Sequence, residues 1–304
     1  MTQRYLPAPP VIRPLYEGGP DISPVAWGMW RFEGSDVAAA QHRIETALAA
    51  GITLFDTADI YGLGGPGGFG GAEALLGQVF AATPDLRARL VLASKAGIIP
   101  GVPYDSSPEY LSQALRASLG RLGVEHLDLW QIHRPDILTH PQETARALED
   151  MVTSGKVGAV GVSNFTPAQI SALSALLDIP LSVSQPEFSA LCHQPITDGQ
   201  LDRAMARGMH ILAWSPLGGG RIADPHSAAE QAAAAALDAV AQEHGVSRAV
   251  AAFSWVAAHP AHPIPIIGSQ TPERIAEAAD IGKIRWTRES WYAVLQAAMG
   301  EDLP

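Results

Sequence analysis

Asp56, Tyr61, Lys95 and His133 have the side-chain types that reduction of a carbonyl group uses, provided a fold brings them to one place. A phenol with an ordinary pKa near ~10 is a weak acid at neutral pH, and a neighbouring ammonium favours its ionised form and lowers that pKa. Lys95 can supply that charge. Asp56 can hold the ammonium by a charge-assisted hydrogen bond, and His133 can orient the oxygen that receives the proton. Singly, each residue has an ordinary explanation: Lys95 as a solvated strand end, His133 as a satisfied core histidine, Tyr61 as a packed loop aromatic. Convergence is what would make them a catalytic unit, so the elements that carry them decide the matter.

Apolar, β-branched-rich runs recur along the 304 residues, separated by stretches with helical spacing, and each run ends in a small polar or glycine cluster. Eight runs read as strands: Val25 to Trp30, Thr53 to Ala58, Leu90 to Ala96, Leu127 to His133, Val157 to Asn164, Leu181 to Phe188, Ile211 to Ser215 and Ile264 to Ser269. Val37 to Ala50, Pro108 to Leu122, Pro141 to Ser154, Pro167 to Leu176 and Asp198 to Arg207 read as helices, several opening on a proline suited to a first turn. This alternation predicts an α/β fold, a (β/α)8 TIM barrel, because a doubly wound sheet would have fewer strands and an identifiable second domain. No linker or composition shift divides the chain, so residues 1–304 are expected to form a single barrel domain. Arg13 to Pro24 reads as an N-terminal hairpin and Thr287 to Met299 as an appended C-terminal helix. Ala228 to His244 is a further helix, since Leu237, Val240 and Ala241 keep helical spacing.

Active sites of such barrels assemble at the C-terminal ends of the strands. Asp56 and then Tyr61 follow strand two, Lys95 ends strand three and His133 strand four. Ser163 and Asn164 end strand five, Gln185 strand six, Trp214 and Ser215 strand seven, and Gly268 and Ser269 strand eight. All would face one mouth.

A formal net charge of −11, with no local Lys/Arg-rich run, disfavours nucleic acid and anionic membranes and leaves small molecules as partners. The hydrophobic fraction of 47% against 17% charged residues suits a large core. Cys192 is the single cysteine and has no disulfide partner within the chain. Met1 to Pro14 lacks a signal-peptide pattern, and no run reaches the ~18 apolar residues of a membrane span, so the expectation is a cytoplasmic protein. The oligomeric state is open, and a monomer is compatible with everything above.

Three decoys carry less weight. Gly65-Pro66-Gly67-Gly68-Phe69-Gly70 satisfies G-x-G-x-x-G, but the glycines begin several residues after the strand, where the dinucleotide fingerprint needs them at once. A mobile loop over residues 62–71 that shapes substrate access is the expectation instead. Among ten histidines the closest pair, His259 and His262, is interrupted by Pro260 and has no adjacent carboxylate or cysteine, so no metal site is expected. Ser163 lacks the second glycine of a nucleophile elbow, which argues against a hydrolase.

Five ordered motifs resemble the aldo-keto reductases from about residue 13 onward. They are Gly51 to Gly62 (GITLFDTADIYG), Lys95, Asp128 to His133 (DLWQIH), Gly161 to Phe165 (GVSNF) and Trp214 to Gly218 (WSPLG). The end of the chain, Trp291 to Pro304, looks most like the bacterial oxidoreductase branch. The resemblance implies a catalytic tetrad of Asp56, Tyr61, Lys95 and His133, with Tyr61 as general acid in reduction of an aldehyde or ketone, and NADPH/NADP+ as cofactor. It also implies that Ser163, Asn164 and Gln185 hold the nicotinamide carboxamide and that Trp214 stacks on the ring. Ser215, Leu217 and Gly219 of the Gly218 to Gly220 loop would cover the pyrophosphate. Ser269, Gln270 and Arg274 would bind the adenosine 2′-phosphate, with Glu277 nearby. The sequence departs from the pattern at Gly268, where many members have a lysine, and at Ala278, where they have an asparagine. A rival reading within the same resemblance is a cofactor-sensing regulatory subunit related to channel β-subunits, with little turnover. An aromatic lining of Trp30, Tyr61, Trp130 and the glycine loop favours apolar or aryl carbonyls over highly hydroxylated sugars.

Overall fold

The computed structural model describes residues 5–10 and 12–303; the outermost residues of the anticipated 1–304 domain, 1–4 and 304, and residue 11 lie outside the described residues. Strands β1 (Arg13–Pro14) and β2 (Asp21–Ile22) pair antiparallel as a hairpin. Eight parallel strands then close a barrel in chain order: β3 (Ala26–Gly28), β4 (Leu54–Asp56), β5 (Val91–Ala96), β6 (Leu127–Ile132), β7 (Val157–Ser163), β8 (Leu181–Gln185), β9 (His210–Ala213) and β10 (Ile264–Ile267), with β10 paired back to β3. Seven lie inside runs expected from the sequence, trimmed at the ends, and β9 overlaps its run but begins one residue earlier, at His210.

Period-two alternation divides every strand between two cores. Leu54, Ala93, Leu129, Ala159, Val183 and Leu212 fill the barrel interior, and Leu15 and Ile22 of the hairpin plug its N-terminal end. Trp27, Phe55, Leu92, Trp130, Val160 and Val162 point the other way, into the layer shared with the helices. One step further along the inward rows the apolar residues stop. The register sets Asp56 beside Ala93, Lys95 beside Gln131, Gln131 beside Gly161, and Ser163 beside Gln185. The C-terminal end of the barrel is therefore polar by position.

The surrounding helices are α1 (Val37–Ala49), α2 (Gly71–Ala82), α3 (Pro108–Leu122), α4 (Pro141–Thr153), α5 (Pro167–Ser174), α6 (Gln194–Thr197), α7 (Gln200–Arg207), α8 (Ala228–His244), α9 (Arg248–Ala257), α10 (Pro272–Glu277) and α11 (Arg288–Met299). Their starts are written in local chemistry: Ser107 caps α3 ahead of Pro108, while Thr166 with Gln169 and Ser227 with Glu230 form reciprocal capping boxes on α5 and α8. Helix α3 stops at Gly123, whose φ of 65° is the left-handed conformation that ends many helices. The helix expected from residue 198 begins at Gln200, after the separate turn α6. No helix among the described residues is long and apolar enough to cross a membrane.

Candidate active site

Strand β4 delivers Asp56 and the turn after it delivers Tyr61, β5 delivers Lys95, and His133 follows β6. The structure brings all four together. Lys95 Nζ donates to Asp56 Oδ2 at 2.6 Å and to the Thr57 carbonyl at 2.8 Å. The same ammonium lies 5.0 Å from the centre of the Tyr61 ring. Tyr61 and His133 meet edge to face, with ring centroids 5.7 Å apart and planes at 81°. Lys95 is wholly buried and Asp56 nearly so, whereas the half-buried Tyr61 reaches the mouth.

A buried ion pair is stable only when other hydrogen bonds fill the remaining lone pairs. Here they do: Asp56 Oδ1 accepts from Gln131 Nε2 and from Gln185 Nε2, each at 3.1 Å. Asp56 in turn holds Lys95 in its charged form, so that its pKa stays above the usual lysine value despite burial. Burial pushes the Tyr61 phenol above its ordinary pKa, and the Lys95 charge opposes that shift without reversing it. The expectation that Lys95 leaves Tyr61 below an ordinary phenol is corrected accordingly: desolvation outweighs the ammonium. Tyr61 thus keeps its proton across the neutral range. Burial, and then Lys95 and Arg134, hold His133 well below the usual histidine pKa, so its ring is neutral. Its Nδ1 is buried without a hydrogen-bond partner among the described residues.

Beside these four, Ser163, Asn164, Gln185 and Trp214 form one network. Trp214 Nε1 donates to Asn164 Oδ1 at 3.0 Å, Asn164 Nδ2 donates to Ser163 Oγ at 2.9 Å and to the His133 carbonyl at 3.1 Å, and Ser163 Oγ donates to the Gln185 carbonyl at 2.9 Å. Asn164 (φ 62°) and Ser215 (φ 49°) sit in the left-handed region, an uncommon conformation for such residues that turns both chains sharply at the mouth. After Ser215 and Leu217, the glycines 218–220 make a 3₁₀ turn with φ of 59°, 72° and 100°, a path closed to other residues without strain. After β10, both amide atoms of Gln270 are buried and unpaired among the described residues. Arg274 is exposed and has no ion pair among them, with Ser269 and Glu277 close in sequence. An unpaired amide, a bare glycine turn and an unengaged guanidinium along one rim fit an extended nucleotide cofactor. A Cβ on Gly268 would lie 3.3 Å from Trp30 Nε1, so Trp30 covers the position where a lysine is absent.

The two substrate-pocket expectations divide. Trp30 is 56% exposed, with Arg31 stacked over it at 4.5 Å. Trp130 is fully buried in the outer core and does not line the mouth. It stands next to Gln131 in sequence and so faces the opposite side of β6. Gln131, which touches Asp56, is not among the site residues expected from the sequence, although the alternation Leu129, Gln131, His133 carries the signal that points it inward. The 62–71 loop is a chain of turns, in which Gly65, Gly68 and Gly71 each donate N–H to the carbonyl three residues earlier. The loop expected to shape substrate access is thus hydrogen-bonded along its length.

The model described as "Aldo/keto reductase family" matches residues 24–298. A 6-dehydroglucose reductase of Novosphingobium aromaticivorans is 57% identical over 301 residues, covering 98% of this chain and 99% of the relative. A 6-dehydroglucose reductase of Agrobacterium fabrum is 37% identical, covering 93% and 96%, and the oxidoreductase YdhF of Escherichia coli is 36% identical, covering 94% and 97%. The solved structure of a thermostable aldo-keto reductase, Tm1743, superposes with a TM-score of 0.81 at 23% identity, covering 95% of this chain and all of that one, which speaks to the fold.

Proposed function

The chain belongs to the aldo/keto reductase family of nicotinamide-dependent carbonyl oxidoreductases, and from that premise we propose that it reduces 6-dehydroglucose, or a closely similar dehydro sugar, with NADPH. The observation that carries the chemistry is the buried Lys95–Asp56 pair, 2.6 Å apart, with Tyr61 against the ammonium. The substrate rests on the two similar reductases that share that name. This displaces the preference for aryl carbonyls drawn from the sequence, because Trp130, packed in the outer core, is lost from its aromatic lining.

Bound in the mouth, the cofactor supplies a hydride to the carbonyl carbon. Ser163, Asn164 and Gln185 would hold its carboxamide and Trp214 its ring, while Ser215, Leu217 and Gly219 would hold the pyrophosphate. Ser269, Gln270 and Arg274 would hold the 2′-phosphate, with Glu277 beside them, and this set supports NADPH over NADH. Tyr61 Oη is the proton donor, in keeping with a phenol that burial keeps protonated. Neutral His133 offers the substrate oxygen a hydrogen bond without competing for the proton. Lys95 supports the phenolate that forms on Tyr61, and Asp56 keeps Lys95 charged and in place. The same reading takes residues 1–304 as a single barrel domain working in the cytoplasm, and a monomer is compatible with it.

The test is NADPH consumption with 6-dehydroglucose beside aryl aldehydes, dicarbonyls and unmodified sugars, using wild type and Tyr61→Phe. The dehydro sugar should be turned over fastest, and Tyr61→Phe should lower kcat by roughly 100- to 10,000-fold, the usual worth of a general acid, with cofactor affinity kept. Near-normal turnover by Tyr61→Phe would remove Tyr61 as donor. Tight NADPH binding with no turnover on any carbonyl would move the protein to the cofactor-sensing class.

A further inference from the structure

Leu129 lines the barrel interior from β6, yet the next inward residue on the same strand is an amide, Gln131. It is wholly buried. A leucine there would continue the apolar row at lower desolvation cost, so the amide must be matched by the bonds it makes. Both of its ends are engaged. Nε2 donates to Asp56 Oδ1 at 3.1 Å, and Oε1 accepts from Gln185 Nε2 at 3.1 Å, while Gln185 Nε2 also donates to the same Asp56 oxygen at 3.1 Å. The strand beside it makes room: at Gly161 of β7 a Cβ would lie 3.3 Å from Gln131 Cγ.

We propose that Gln131 is a positioning residue that ties the catalytic carboxylate Asp56 to Gln185, so that the proton-donor side and the nicotinamide side of the site keep one geometry. The proposal rests on the assignment of the tetrad made above. Asp56 Oδ2 is taken by Lys95, so the direction of the carboxylate, and with it the ammonium under Tyr61, depends on what holds Oδ1. Two amides hold it, and each amide also steadies the other. The charged and titratable groups that face Asp56 are Lys95 from β5 and Tyr61 from the segment after β4, with Asp59 next to Tyr61 and His133 next to Lys95. Gln131 itself carries no proton that titrates, which makes it a place where one can be introduced.

Gln131→Leu should lower kcat/KM by about 10- to 100-fold, the worth of a hydrogen bond to a buried charge, at all pH values where wild type is active. Gln131→Glu separates positioning from mere packing. In its protonated form the new carboxyl can donate to Asp56 Oδ1 as the amide did, and once ionised it sets a second anion against Asp56. Its activity should therefore approach wild type at acid pH and fall as pH rises, through an ionisation that neither wild type nor Gln131→Leu shows. NADP+ binding, followed by quenching of tryptophan fluorescence, should weaken in Gln131→Leu, and adding Gln185→Leu should cost less there than it does in wild type, because the two amides share one network while Gln185 keeps its own contact with the carboxamide. Wild-type kcat/KM in Gln131→Leu, a Gln131→Glu profile parallel to wild type, or fully additive losses with Gln185→Leu would each overturn the proposal. If Gln131→Leu does not fold, the Gln131→Glu profile still decides. Tyr61→Phe, assayed alongside, keeps the failures apart: an active Tyr61→Phe removes the tetrad itself, whereas a dead Tyr61→Phe beside an unchanged Gln131→Leu removes only Gln131.

Discussion

A guanidinium that no carboxylate neutralises is available to a phosphate, and Arg274 is such a group among the described residues, exposed in the first turn of α10. If it meets the adenosine 2′-phosphate, Arg274→Ala should raise the Kd for NADPH by about tenfold or more, as loss of a charged hydrogen bond does, and leave the Kd for NADH nearly unchanged. Fluorescence titration with both cofactors checks this, and equal losses would take Arg274 out of the phosphate site. The neighbouring Gly268 cannot help, because Trp30 lies over it. Much of the candidate site was legible at this scale, since Asp56, Lys95 and His133 each announce themselves as polar residues ending an apolar strand. Trp130 and Gln131 show where that reading failed. Adjacent residues on a strand face opposite sides, so the tryptophan that shares a motif with His133 packs against helices while the unremarked glutamine reaches Asp56. Nor does sequence say how the opposing effects on Tyr61 balance, because burial and the Lys95 charge compete through a geometry that only the fold sets.

At the scale of elements, a second buried polar cluster supports the turn that carries Tyr61. Glu73 of α2, wholly buried, accepts from Ser94 Oγ of β5 at 2.5 Å and pairs with Arg121 of α3 at 2.7 Å, so three elements are tied behind the site. Asp59 lies beside this cluster in the turn after β4. Tyr110 of α3 donates to its Oδ2 at 3.4 Å, but its Oδ1 has no partner among the described residues. Burial first, and the Glu73 charge second, push its pKa up to about 7, against an ordinary 3.8. A carboxyl raised on folding stabilises the fold fully below its unfolded value, and that contribution is lost as pH climbs through its folded value. Wild type should therefore lose on the order of 2–3 kcal/mol of unfolding free energy from this group as pH rises from 5 to 8, at about 1.4 kcal/mol per unit up to its folded value near 7 and little beyond it. Asp59→Asn, uncharged throughout, should flatten that decline. Denaturant midpoints at the two pH values measure it, and an unchanged slope in Asp59→Asn would assign the decline to other groups. Sequence marks the elements tied here more clearly than the ties: capping residues announce α3, α5 and α8, whereas α9 went unread because almost all of it is buried and it has no polar face to set a helical period.

The whole molecule closes twice, once when β10 pairs with β3 and once when its C-terminal segment folds back over the outer layer. Helix α9, which leads into β10, takes part in both. Trp255 of α9 stacks on Trp291 of α11 with centroids 4.6 Å apart and planes within 7°. The pair is also reciprocal: Trp255 Nε1 donates to the Trp291 carbonyl and Trp291 Nε1 to the Trp255 carbonyl, both at 3.0 Å. Nearby, Trp286 Nε1 donates to Ser254 Oγ, which donates to the Ile281 carbonyl, so the segment from 278 to 291 is held to α9 along its length. Trp255 also packs on Phe188, with centroids 5.7 Å apart, and Phe188 N–H donates to the Trp214 carbonyl, but none of these bonds reaches the tetrad, and this separates stability from chemistry in a way that can be tested. Trp291→Ala removes a buried ring and leaves the Trp255 carbonyl without its donor, which should cost about 3–5 kcal/mol. In a chain of this size that corresponds to a fall in Tm of roughly 10 °C. Because α9 runs directly into the strand that closes the barrel, unfolding should remain a single transition, with C-terminal segment and barrel melting together. Below that transition kcat should match wild type, since the tetrad keeps its supports. Calorimetry with turnover measured at low temperature checks both halves: an early separate transition would make α11 an independent appendage, and a lowered kcat in the folded variant would mean that the outer layer sets the geometry of the mouth.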